Sequence, residues 1–216
     1  TRHGPAITTE PTEKFEASLL DNDFVFAMPV MAWPDAAAKW LHRETRYGWP
    51  SKDLKEKLIS DGCLVVAAPH HTSTWRVVEW RISFSRAERA LAESLGDIPH
   101  QCYILLKVLV KNVLSPIKSI TSYHLKTLLF WTCEKVPLDA WLNREEGLAQ
   151  CFLLLMDEFI HAIANQSLPH YFFTENNLFS HIHPDFMADI SKRISWLRRN
   201  VPQAIFDFDK QYVFSF

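Results

Sequence analysis

Glycine is scarce in this chain, at 5 of 216 residues. No glycine-rich loop of the kind that wraps a phosphate is found among them. Cysteine is rarer still. Cys63, Cys102, Cys133 and Cys151 lie far apart, and no pair has the two-to-four-residue spacing of a zinc clamp. Set in apolar surroundings, they are expected to be buried, reduced thiols of a cytoplasmic protein. An excess of charge is missing too. With 23 basic and 25 acidic side chains the net charge is −2, which gives no support to a strong electrostatic grip on a nucleic-acid backbone. No apolar run is read as approaching the roughly 18 residues that a membrane span requires, so no membrane partner is expected. No secretory signal is read at the start. The sequence opens at Thr1 without a methionine, and the natural protein is expected to extend further upstream.

What is abundant is apolar and aromatic. Hydrophobic residues make up 48% of the chain, with 8 Trp and 15 Phe, as in a folded globular protein. Residues 5–9 and 23–31 read as strands, the second placing Asp23, Val25 and Ala27 on one side. A short helix is expected over 35–43, a second over 52–60, then a strand over 63–68 and a loop over 69–74. From Glu79 onward the pattern reads as helical. Ser85 and Glu88 fit a capping box for a helix to about 95, followed by one over 98–114. Asn143 with Glu146 is expected to cap another that ends near 165, and Pro184 opens one over 184–198. A division near residue 78 follows, with 1–78 a small α/β part and 79–216 a bundle of about five antiparallel helices.

The stretch Ser122-Tyr123-His124-Leu125-Lys126-Thr127 opens an amphipathic helix, and Thr121 and Ser122 are suited to cap it. Tyr123, Lys126 and Phe130 share one face. A ring for stacking beside a cation for phosphate is one way to hold a nucleotide; a half-buried ring beside a solvated lysine is the plainer alternative. Lys192, Arg193, Arg198 and Arg199 read as a solvated helix face. His70-His71 and His181-Ile182-His183 lack partners at metal-ligand spacing and read as loop or capping histidines.

Together with Trp80-Arg81-Ile82-Ser83-Phe84-Ser85-Arg86-Ala87-Glu88, Tyr171-Phe172 and Asn177-Leu178-Phe179, that stretch resembles the Mab-21-like family, the relatives of cyclic GMP-AMP synthase. The resemblance runs from about Gly4 to Phe208. It implies a C-terminal helical lobe of HhH/H2TH-like type following a remnant of a nucleotidyltransferase sheet. In that family Mg²⁺ (or Mn²⁺) is held by two or three carboxylates between the phosphates and the attacking hydroxyl. Asp23, on a strand ahead of Trp33-Pro34 and after Gly4-Pro5-Ala6-Ile7-Thr8, resembles the third of these, the catalytic and metal-binding acid. The Gly-Ser turn and acidic pair that supply the other two are absent from these residues, so the chain alone is expected to be inactive.

By the same resemblance Arg81, Ser83, Ser85 and Glu88 would line a nucleotide pocket. Lys107 would meet phosphate, Ser122 and Lys126 would bind polar groups, and Tyr123 would stack on a base of ATP or GTP. Each has a structural alternative: Ser85 and Glu88 as helix caps, Arg81 paired with a carboxylate, Lys107 solvated. The stretch 95–102 carries a single cysteine where the synthase has an inserted zinc module, so no zinc site is expected. Two functions stay open at this point, with nucleic-acid sensing through the helical lobe a third that the charge balance and the missing zinc module rank lowest. One is a cyclic-dinucleotide-synthase-like innate immune receptor; the other is a non-catalytic interaction or regulatory module. The sheet strands of 1–78 are expected to leave exposed edges and apolar surface.

Overall fold

The computed structural model describes residues 7–8, 23–68, 74, 79–114, 117, 119–137 and 147–213. In chain order the first elements are β1 (Ile7–Thr8), β2 (Asp23–Phe24), β3 (Ala27–Val30), α1 (Ala38–Leu41), α2 (Lys52–Asp61), β4 (Cys63–Ala67) and β5 (Trp80–Ser83). The helices α3 (Ser85–Glu93), α4 (Asp97–Val113), α5 (Ser122–Lys135), α6 (Gly147–Ala164), α7 (Pro184–Arg199) and α8 (Val201–Val213) follow. They gather into two compact units, Thr1–Asp35 with Asp53–Ala90, and Ala36–Lys52 with Leu91–Phe216. The fold is mainly helical with a small sheet.

The first unit is built on a three-stranded antiparallel sheet in the order β3-β4-β5. Ala27 faces Val66 and Val30 faces Cys63, while Leu64 faces Ser83 and Ala67 faces Trp80. Gly62 makes the turn from α2 into β4 at φ +67°. A Cβ there would lie 2.0 Å from the Val30 carbonyl oxygen, so only glycine fits this left-handed, close-packed corner. Pro29 lies inside β3 and cannot donate to a ladder, which suits an edge strand. The expected single strand over 23–31 is two: β2 pairs with β1 through Thr8 and Asp23, and β3 pairs with β4. Residues 80–83, expected to begin helical structure, form β5. Aromatic and β-branched residues at Trp80 and Ile82 favour the pleat, and α3 begins only at Ser85.

The second unit is helical, with α4, α6 and α7 packed together and α5 against α4 and α6. Leu106, Leu109, Leu128, Leu155, Phe159, Ile190 and Leu197 are all essentially sealed from solvent. Their spacing along each helix follows the 3.6-residue period that buries one stripe. Pro184 occupies the start of α7, and the His183 ring accepts a hydrogen bond from the Asp185 N–H at 3.3 Å. Asn143 and Glu146, and the loop over 69–73, lie outside the described residues.

Two readings of this unit need correction. The helix α8 was not expected; only Asn200 separates it from α7. And one helix, α6, is long and apolar enough to cross a membrane by length and composition. Its Phe152, Leu155, Met156 and Phe159 are buried in the helical core, and Asp157 receives two hydrogen bonds from Arg198 at 2.8 and 3.0 Å.

Candidate functional site

The first turn of α5 is fixed by its own cap. Thr121 has extended backbone (φ −107°, ψ 166°), and its N–H donates to His124 Nδ1 at 2.9 Å. Because Nδ1 accepts, a neutral His124 carries its proton on Nε2 and directs it at the Leu178 carbonyl, 3.3 Å away. Burial holds this ring below the ordinary histidine pKa, and His181, stacked at 6.0 Å, adds to the effect against the opposing Leu178 bond. His124 therefore serves the fold with both nitrogens.

The next side chains face outward. Ser122 is exposed and Tyr123 half-buried. The Lys126 ammonium sits 5.8 Å from the centre of the Tyr123 ring, a cation–π distance. Tyr123 Oη lies 2.7 Å from His170 Nε2. Phe130, expected on the same face, is 1% exposed and belongs to the core. Beside this turn a cavity of about 430 Å³ is bordered by Lys107 and Lys111 of α4 and by Thr121 and Ser122, over a floor that includes Val110 and Leu125. Two ammonium groups and two hydroxyls over an apolar floor suit a ligand with an anionic end and an apolar or aromatic body.

The other proposed ligand residues lie in the first unit. Arg81 and Ser83 alternate onto one side of β5; Arg81 is exposed and Ser83 half-buried. Ser83 Oγ reaches Ser85 Oγ at 3.3 Å and accepts from the Ser85 N–H at 3.4 Å. The Phe84 carbonyl accepts from the Glu88 N–H at 2.7 Å, so Phe84 holds the cap position and Ser85 is the first helical residue. The capping box expected of Ser85 and Glu88 is thus one residue out of register. Glu88 is buried. Lys107, Ser122, Tyr123 and Lys126 belong to the helical unit, and Arg81, Ser83, Ser85 and Glu88 to the sheet unit.

Asp23 stands in β2 opposite Thr8. Among the described residues no group of three or more His, Cys, Asp or Glu side chains could hold a metal ion. A lone carboxylate does not supply the oxygen ligands that Mg²⁺ demands, so the residues described do not by themselves fit the metal. The thiols offer no nucleophile. All four are reduced and buried, and burial pushes Cys102 up to about 12 and Cys133 higher still, which suppresses the reactive thiolate.

A second buried cluster was not legible in the sequence. Glu134 Oε1 accepts from Arg43 Nη2 and from Tyr171 Oη, each at 2.6 Å. Arg43 Nη1 donates to the Tyr171 carbonyl at 2.9 Å, and its guanidinium lies 4.3 Å from the Trp131 ring centre. Burial, then the Glu134 carboxylate, holds the Tyr171 phenol well above its usual range. This knot ties the segment around α1 to α5 and the 171 loop. Of the basic residues read as a solvated face, Arg193 instead bonds Asp189 at 2.9 Å and the Val113 carbonyl at 3.3 Å. Two residues at the α5 site were also missed. Lys111 was findable, four residues after Lys107 and so on the same helix face; His170 is 47 residues from Tyr123 and carried no signal.

Comparison with known proteins gives two consecutive family matches. Residues 1–94 match the Mab-21 protein nucleotidyltransferase domain, and 99–196 the Mab-21 protein HhH/H2TH-like domain. Protein mab-21-like 3 of Danio rerio is 30% identical over 173 residues, 78% of this chain and 41% of its own length. Transmembrane protein 102 of Mus musculus is 29% identical over 160 residues, 74% of this chain and 29% of its own. A cyclic GMP-AMP synthase-like receptor of Tribolium castaneum is 28% identical over 122 residues, 56% and 29% of the two lengths. The chain thus spans less than half the length of each of these relatives. With the two domains matched in order and relatives that bear the family's name, the chain belongs to the Mab-21 family.

Proposed function

We propose that this chain is the nucleotide-holding portion of a nucleotidyltransferase-type Mab-21 protein, with ATP or GTP bound against the start of α5. The carrying observation is the pairing of the Tyr123 ring and Lys126 with the adjoining cavity of Lys107, Lys111 and Ser122. The ring offers a stacking surface for a purine, and the ammonium groups offer counter-charges to a polyphosphate. By the family likeness, Arg81, Ser83, Ser85 and Glu88 of the sheet unit are proposed as nucleotide-binding residues. Asp23 is proposed as one carboxylate of a Mg²⁺ site that other acids would have to complete, so nucleotidyl transfer by these residues alone is expected to be undetectable. Likeness to the Tribolium cyclic GMP-AMP synthase-like receptor supports a receptor role, here proposed to lie in innate immunity. The four reduced, buried cysteines support a reducing, cytoplasmic setting.

Calorimetric titration of ATP and GTP into the chain tests this, with Lys107→Ala and Tyr123→Ala beside it. Binding that weakens roughly tenfold or more in both variants, with melting unchanged, is the expected result. A cooperatively melting chain that binds neither nucleotide would sink the reading in favour of an interaction module.

A further inference from the structure

The ring on which the nucleotide reading depends is itself held from outside its motif. Besides facing Tyr123 Oη through Nε2, His170 receives the backbone N–H groups of Phe172 and Phe173 at Nδ1, each at 3.1 Å. Those N–H groups can only donate, so Nδ1 is the lone-pair nitrogen, and a neutral imidazole then keeps its proton on Nε2. Burial keeps the ring neutral, lowering its pKa to about 4. Nε2–H therefore donates to Tyr123 Oη, and the phenol's own proton turns toward an acceptor other than His170.

The mount is rigid. The His170 N–H donates to the Asn176 carbonyl at 2.7 Å, and Asn177 Oδ1 accepts from the N–H groups of Leu168 and Phe179 at 2.9 and 3.1 Å. The His170 ring also lies 5.1 Å from the Phe173 ring. A side chain locked by its own loop can lock the next one, because a fixed donor leaves the phenol one preferred orientation.

We propose that His170 is the positioning residue for Tyr123: it donates from Nε2 to the phenol oxygen and so holds the ring in the orientation in which it stacks. This role rests on the nucleotide reading above.

The test is a double-mutant cycle on the full chain, read as ATP affinity by calorimetry. His170→Asn keeps a short acceptor for the Phe172 and Phe173 N–H groups but cannot reach the phenol. His170→Gln places an amide N–H near the position of Nε2. The expected result is that His170→Asn weakens ATP binding roughly three- to tenfold in the parent chain, the size of one hydrogen bond. In the Tyr123→Phe background its effect should fall below roughly twofold, while His170→Gln in the parent stays within roughly twofold. Nitrogen NMR of the labelled ring should report the neutral Nε2–H tautomer. Equal losses from His170→Asn in both backgrounds, or an Nδ1–H tautomer, overturn the role while leaving the nucleotide reading intact. A parent chain that binds no ATP overturns both.

Discussion

The two units solve the same burial problem with unequal success. Along β3 every residue is exposed, and Val25, Phe26, Met28, Val30, Met31 and Trp80 of the sheet unit all present large apolar surface to solvent. In the helical unit the corresponding apolar residues line a core in which Leu106, Leu155, Phe159, Ile190 and Leu197 are sealed. The difference is one of geometry. A helix satisfies its own backbone and needs only one apolar stripe covered, so a handful of helices cover one another. A sheet presents two faces and two edges, and three short strands cannot cover both. The stability of the chain should therefore be carried by the helical unit, where the α5 site is also built.

The largest effect should come from emptying that core. Phe159→Ala removes a fully buried ring and is expected to cost about 3–5 kcal/mol, read as a lower urea midpoint. A loss under about 1 kcal/mol would break the contrast between the units. Close behind is Glu134→Ala, which strands the Arg43 guanidinium and the Tyr171 hydroxyl without their shared acceptor. Breaking a buried pair from one side costs about 3–5 kcal/mol; Arg43 keeps some exposure, so the low end is expected. Restoring the midpoint with a second change, Arg43→Met, would mark the knot as a matched set rather than a sum of contacts.

These two changes also mark what the sequence could and could not reveal. Periodicity exposed α4, α5, α6 and α7 because each buries a stripe through local spacing, and Pro184 announced the start of α7 in its own right. The strand β5 escaped because four residues hold too little pattern to compete with the helix signal that begins at Ser85. The break at Val25–Phe26 escaped because it depends on which distant strand each half pairs with. The site divides in the same way. Ser122, Tyr123 and Lys126 were readable because one helical turn carries them. The partners that fix or complete that turn, His170 and the 178 carbonyl, arrive from loops that only the tertiary fold brings near. Glu134 and Arg43 stand 91 residues apart and carry no local signal of the pair that burial makes of them.

A smaller effect should follow acid. Burial lowers the pKa of both His124 and His170, the latter to about 4, in the helical unit. In the unfolded chain both rings titrate near 6.5. Between these values the unfolded state binds protons that the folded state refuses, so the stabilisation is full above about pH 6.5 and falls as pH drops toward 4. Melting midpoints should decline over that window, and His170→Asn should flatten the decline. An unchanged slope in that variant would mean that His170 is already charged in the fold.

The smallest effect on stability should come from the sheet unit, and it sharpens the comparison most directly. Phe26 and Met31 are 77% and 75% exposed, so little of either ring or thioether is withdrawn from water on folding. The double change Phe26→Ser with Met31→Ser should therefore move the urea midpoint by no more than about 0.5 kcal/mol equivalent. The same change should raise the concentration at which the chain stays monodisperse in light scattering, because it removes two exposed apolar side chains at the ends of an edge strand. Comparing this pair with Phe159→Ala sets two apolar side chains left in water against one sealed from it, so that burial, not the amount of apolar surface deleted, should decide the larger cost. If the surface pair cost as much as the core ring, the exposed strand would have to be packed in solution against a layer of its own. The sheet would then be as complete as the bundle, and the contrast between the two units would vanish.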